Sequence, residues 1–307
     1  MKLGVALSAN AQRYPDRSAV VLGERTLTFR ELDKRSNALA HGWRAAGLVP
    51  GDRVIVYVGN SIELVELVVG VWKAGGIAVP ITTWIVGQEL GFMVNDCEPF
   101  ALVYGLDQQP HVDEALRNAP GTGTRTMLID ANGADTKEWS FEWLFALGAG
   151  LADQAPDVPV GVTDALIGYT SGTTGSPKGA VVTHANLISA QHCMTTYFEM
   201  GLGGTYLVST PIAHRVGMTR LVSCCVIGAT LVVMPQFNPA QALELIDRHQ
   251  VTVLGTVPTV CRLLLEAMER SSSQFESVRF MAATGEAFPV ELKHRLFARL
   301  PNLKLLT

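Results

Sequence analysis

Two hydrophobic rhythms alternate along this chain. Short runs of consecutive apolar residues, such as VIVYV at 54–58, give way to longer stretches in which apolar positions return every three or four residues. The first rhythm predicts buried strands and the second amphipathic helices. After an alternating stretch at 26–29, Leu32, Ala38, Leu39, Trp43 and Ala46 recur at helical spacing until Gly47 closes the helix. Then come strand 52–58, helix 61–74 stopped by Gly75 and Gly76, strand 77–80, helix 88–96 and strand 100–104. Region 107–159 is less regular and predicts a surface wrap with one strand at 126–129. Strands at 166–169 and 179–182 precede a helix capped by Thr183 and running to 198. The alternation then resumes with strands at 205–209, 230–234, 251–255, 278–282 and 303–306. Helices at 219–226, 239–249, 259–268 and 290–300 fall between them. Nearly continuous apolar strands separated by helices predict an α/β protein, its parallel strands covered by helices on both faces.

Composition narrows this picture. The chain has 307 residues, 48% hydrophobic and only 17% charged, with a net charge of −4 and no basic run. That supports a large core and argues against a disordered chain, a nucleic-acid partner or an anionic membrane surface. Five cysteines (Cys97, Cys193, Cys224, Cys225, Cys261) show neither a CxxC pair nor a metal-ligand spacing, which fits a reducing cytoplasm. The start, MKLGVALSANA, is too short in its apolar part for an export signal and predicts a first amphipathic helix. No apolar run is long enough to span a membrane; the nearest, 221–234, reads as a buried helix turning into a buried strand.

One loop carries candidate chemistry. YTSGTTGSPKG at 169–179 follows a strand end, and ligands of open α/β sheets gather at the carboxyl ends of strands. Its glycines let backbone N–H groups converge on an anion, its hydroxyls add donors, and Lys178 adds a positive charge. It is not a Walker A loop, because Pro177 precedes the lysine and Gly179 opens a strand instead of a helix. The loop therefore joins strand to strand, and its composition predicts polyphosphate binding over a slack hairpin.

The same residues resemble the phosphate-loop signature of the adenylate-forming (AMP-binding) superfamily, in its acyl-CoA synthetase branch. RYPDRSAVVLGERTLTFREL (13–32), KAGGIAVPI (73–81), PIAHRVGM (211–218), FNPAQALELIDRHQVTVLGTVPTVCRLLL (237–265) and AATGEAFPVEL (282–292) resemble further blocks of that family. The resemblance implies two stacked, doubly wound, mostly parallel sheets in five layers (αβαβα). It implies that residues 1–307 are the large N-terminal domain, stopping before a Tyr-Gly-x-Thr-Glu block and without the small C-terminal domain. It also implies a two-step reaction: a carboxylate attacks the α-phosphate of MgATP, and coenzyme A then takes the acyl group.

On that resemblance, Thr170, Ser171, Gly172, Thr173, Thr174, Gly175 and Lys178 would hold the ATP phosphates. His214 would line the acid site and act with Lys178 in catalysis. Val216, Gly217 and Met218 would line the acyl tunnel, although ordinary helix packing explains these three as well. Thr284, Gly285 and Glu286 would lie along the substrate and the adenine. No metal ligand is implied before Thr307, since the family's Mg2+-binding glutamate belongs to the later block; this chain alone would then be a poor catalyst. His214 is not followed by the aspartate of amino-acid-activating relatives, which favours a fatty, aromatic or alicyclic acid. Arg215 and Arg220 leave a dicarboxylic acid open, against a surface or structural role for both. The rival readings are an adenylation module loading a carrier protein and a non-catalytic nucleotide-binding fragment. A homodimer is open.

Overall fold

The computed structural model describes residues 1–129, 139–157, 161, 163–170, 177–197, 203–271, 275–283 and 285–307. Helix α1 (Leu3–Arg13) precedes the hairpin of β1 (Ser18–Leu22) and β2 (Arg25–Thr28), which runs directly into α2 (Phe29–Ala45). Thr28 caps α2 reciprocally: Glu31 N donates to its Oγ1 at 3.2 Å, and the Thr28 amide donates to the Glu31 carboxylate at 2.7 Å. Strand and helix then alternate through β3 (Arg53–Tyr57), α3 (Ile62–Ala74), β4 (Ile77–Pro80), α4 (Gly87–Cys97), β5 (Ala101–Gly105), α5 (Gln109–Asn118) and β6 (Arg125–Ile129). Helix α6 (Phe141–Gly148) leads to β7 (Asp164–Thr170) and its antiparallel partner β8 (Lys178–Thr183). The remainder is α7 (His184–Tyr197), β9 (Thr205–Val208), α8 (Arg215–Ile227), β10 (Thr230–Val233), α9 (Pro239–Arg248), β11 (Val253–Thr256), α10 (Pro258–Glu269), β12 (Phe280–Ala283), α11 (Val290–Arg299) and β13 (Lys304–Leu306).

These strands form two sheets. One has the order β13-β12-β11-β9-β10-β1-β2 and the other β6-β5-β3-β4-β7-β8. Every pairing is parallel except β1 with β2 and β7 with β8. Three apolar clusters sort the helices into layers. Leu207, Leu254 and Met281 turn outward from the first sheet onto α9, α10 and α11. Ile55, Val79 and Leu102 turn outward from the second sheet onto α4 and α5. Between the sheets, Tyr206, Val208 and Val253 face Val54, Val56 and Val103 across α1, α2, α3 and α8. The order is therefore αβαβα.

The central layer buries charge as well as hydrocarbon. Helix α3 is covered on almost every side, and its Glu66 and Lys73 are both buried. Arg35 pairs with Glu66, and Lys73 Nζ lies 2.5 Å from Asp33 Oδ1 and donates to Asn37 Oδ1 at 2.7 Å. Such partners are what a sandwiched charge requires. His184, the first residue of α7, is buried here too; its Nδ1 accepts from Leu3 N at 3.4 Å and its ring meets Trp72 edge-on at 6.3 Å. Burial, then the charges of Lys2 and the amino terminus, push its pKa down to about 4, with Asp164 opposing.

Two helices occupy the region that the sequence pattern presents as an irregular wrap. Helix α5 carries Pro110 in its first turn and buries only Val112 and Ala115, too few apolar positions to show a period. Helix α6, FEWLFALG, is apolar almost throughout, so periodicity is silent; its start is set by Ser140 Oγ, which accepts from Trp143 N at 3.1 Å. Strand β1 also lies inside a segment read only as a motif. Helix α8 begins at Arg215, earlier than the expected 219, for a reason described below.

Candidate active site at the carboxyl ends of the two sheets

Connectivity alone locates a crevice. From β9 the chain passes over the inner face through α8 to β10 on one side. It then crosses the outer face through α9 to β11 on the other side of β9. The winding reverses at β9, and a doubly wound sheet opens its ligand crevice beyond the carboxyl ends of the strands at such a point. The second sheet repeats the device: α3 carries β3 to β4 inside, and α4 carries β4 to β5 outside.

Asn60, just past β3, joins the two rims. Its Nδ2 donates to Thr210 O and to Met234 O, each at 3.0 Å, and its Oδ1 accepts from Ile212 N at 2.7 Å. One half-buried amide thus ties the end of a strand in the second sheet to the loops after β9 and β10 in the first. In the sequence Asn60 is an ordinary turn residue before the helix cap Ser61, with no signal of this role.

The loop held by Asn60 ends on His214. That residue is the N-cap of α8, and its exposed side chain makes no capping bond. The backbone is well held: His214 N donates to Pro211 O at 3.0 Å, and Met218 N donates to His214 O at 2.9 Å. Gly217 explains the early start of α8. A Cβ there would lie 2.1 Å from Pro211 O and 2.5 Å from Ile212 Cα, so only glycine lets the first turn of the helix lie on the loop. Gly217 and Met218 are buried against protein, Met218 within the central core, and Val216 is half-buried.

Thr170 and Lys178 are the facing residues that close the β7–β8 ladder, and both side chains are exposed. The mouth of this hairpin is anchored by the adjacent Tyr169, whose hydroxyl donates to Asp96 Oδ2 of α4 at 2.6 Å; burial is the main cause that raises the Tyr169 pKa. Ser171, Gly172, Thr173, Thr174 and Gly175 lie outside the described residues, as does Thr284. Gly285, with φ of +100°, and Glu286 follow β12 and are exposed. Thr259 Oγ1 donates to Glu286 Oε1 at 3.4 Å, linking this turn to the start of α10. His214 and Glu286 therefore follow the carboxyl ends of β9 and β12, and Lys178, at the amino end of β8, faces the carboxyl end of β7, without a hydrogen bond between any two of the three.

A family model described as AMP-binding enzyme matches residues 7–307. Long-chain-fatty-acid–CoA ligase FadD13 of Mycobacterium tuberculosis is 30% identical over 287 residues, covering 93% of this chain and 54% of that protein. Feruloyl-CoA synthase of an Amycolatopsis species is 30% identical over 294 residues, covering 94% of this chain and 55% of that protein. The inhibitor-bound N-terminal domain of FACL13 from Mycobacterium tuberculosis has a TM-score of 0.84 at 28% identity, covering 99% of this chain and 75% of that one. Two doubly wound sheets in five layers are thus the fold of acyl-CoA ligase N-terminal domains. The chain belongs to the AMP-binding enzyme family, and it spans about half the length of the curated relatives it matches.

Proposed function

We propose that this chain is the nucleotide- and acid-binding part of an AMP-forming acid–thiol ligase. The enzyme would activate a fatty, aromatic or alicyclic acid as its adenylate and pass the acyl group to coenzyme A. The observation that carries this reading is the family match from residue 7 to residue 307, with the Lys178 hairpin and the His214 loop both at strand carboxyl ends. An exposed lysine and threonine facing one another at the mouth of a hairpin suit an incoming polyphosphate, because both are free to donate outward. His214, exposed on a loop with a fixed backbone, would meet the reacting carboxylate. Gly285 and Glu286 would border the adenine. Val216 is the tunnel candidate with a side chain not enclosed by protein, while Gly217 and Met218 shape the helix behind it. ATP would bring magnesium on its own phosphates, and the described residues contain no group of three or more His, Cys, Asp or Glu able to hold a metal.

The reading includes a cytoplasmic setting, consistent with five free cysteines, and a homodimer, which sedimentation velocity checks. The chemistry is tested by ATP-dependent acyl-CoA formation in the enzyme that carries this chain. Lys178→Ala is expected to lower kcat/KM about ten- to a hundred-fold, the loss of one charge-assisted contact of roughly 1.5–3 kcal/mol. His214→Ala should slow adenylate formation while leaving ATP binding intact. An enzyme that forms no adenylate with any acid would end this reading.

A further inference from the structure

Arg220 lies six residues along α8 from His214 and is 5% exposed. The rise of a helix places it about 9 Å along the axis from His214, inside the central layer. Arg215, by contrast, is exposed. The Arg220 guanidinium lies against the backbone of β11: a Cβ on Gly255 would be 2.3 Å from Nη2 and 2.6 Å from Nε. The Tyr206 ring of β9 is 5.6 Å from Arg220 Cζ. Among the described residues no carboxylate pairs with Arg220, and its Nε is buried without a hydrogen-bond partner.

Gln191 Nε2 of α7 is another buried donor that lacks a partner. The Tyr206 hydroxyl is buried too; it lies beside Ser223 but makes no close hydrogen bond. Gln191 is tied to the same helix face, because its Oε1 accepts from Ser223 Oγ at 2.8 Å and Ser223 is one turn from Arg220. Gly255 and Ala282, facing one another across β11 and β12, keep the sheet's inner surface low at this point. A buried cation without an anion, surrounded by further unpaired donors, is costly for a purely structural core. Such groups call for an acceptor, and here they lie along the helix that His214 begins.

We propose that Arg220, with Tyr206 and Gln191, anchors a second acceptor oxygen on the acid. The substrate then carries a carboxylate or ketone oxygen at the end remote from its reacting carboxylate. This inference rests on the ligase reading above and specifies its substrate class. A plain hydrocarbon tail would leave all three donors unpaired, and a site built to hydrogen-bond a group rejects analogues lacking it strongly.

The test compares kcat/KM for CoA ligation by the complete enzyme across matched acids. Straight-chain monocarboxylates from hexanoate to decanoate are set against the dicarboxylates and oxo acids of equal length, and 3-phenylpropanoate against its para-carboxy and para-acetyl derivatives. In at least one set the oxygenated acid should exceed its plain counterpart by about a hundred-fold or more. Dicarboxylate over oxo acid would identify an anion, and the reverse a ketone. Arg220→Met should abolish the preference mainly through KM, and Arg220→Lys should restore part of it for the dicarboxylate only. Plain acids used as well as oxygenated ones in every set overturn the inference, as does an unchanged ratio in a folded Arg220→Met enzyme. If that variant does not fold, the wild-type ranking decides alone. Ligation of no acid at all overturns the ligase reading and this inference together, whereas ligation of plain acids alone overturns only this one.

Discussion

Asn60 shows how much of a site can rest on one amide. Its three hydrogen bonds satisfy two carbonyls and one N–H that no strand or helix ladder uses, and they hold the loop leading to His214. Asn60→Ala would leave those groups to water and free the loop. The expected cost is about 1–3 kcal/mol of stability, measured by urea unfolding, together with about a ten-fold loss in kcat/KM. Asn60→Asp keeps the acceptor for Ile212 N but sets a carboxylate oxygen against the Thr210 and Met234 carbonyls, so its defect should be no smaller than that of alanine. An alanine variant with native activity would show that the loop holds itself. The positions of the β7–β8 hairpin and the His214 loop were legible in sequence because each sits in a distinctive string. Asn60 and Gly255 were not, because their partners lie more than thirty positions away and they carry no local pattern; Arg220 could be singled out, but not its neighbours Tyr206 and Gln191.

At the scale of elements, close approach decides where α8 starts. Gly217→Ala would place a methyl group against Pro211 O and Ile212 Cα, backbone atoms that cannot swing aside. The expected result is a loss of about 1–3 kcal/mol in thermal or urea unfolding and a displaced His214 with lowered activity. A Gly217→Ala protein with wild-type stability would show that the first turn can be remade elsewhere. Most strands and helices were readable because burial on both sheet faces produces unbroken apolar strands, and partial burial produces periodic helices. Helices α5 and α6 escaped for opposite reasons, one too polar and the other too apolar to show a period. The beginning of α8 escaped because Gly217, between Val216 and Met218, reads as a breaker, whereas here it permits the contact.

At the scale of the whole molecule, the central layer makes stability depend on pH. His184 joins α1, α3 and α7, and burial depresses its pKa from 6.5 to about 4. Between those values the unfolded chain binds more protons than the folded one, so stability rises with pH across that window. The contribution is complete above about pH 6.5 and is lost as pH falls toward 4, with a total on the order of 3 kcal/mol. Urea midpoints should slope upward across this range, and His184→Gln should flatten the slope. Equal slopes in both proteins would assign the effect to other groups.

The first sheet also spans most of the chain. Strand β1, near the amino terminus, completes its parallel pairing only with β10, Val20 beside Leu231. Those partners are 211 positions apart (231 − 20). At ribosomal rates of ~5–20 residues per second, β1 waits roughly 10–40 s for its neighbour to be synthesised. Throughout that interval SAVVL lacks its second edge partner, and its own hairpin with α2 and α3 are the neighbours already made. The second sheet, encoded wholly between residues 53 and 183, can close in the meantime. The second sheet can therefore be complete while β1 still has one edge open, so the first sheet is the later of the two to close.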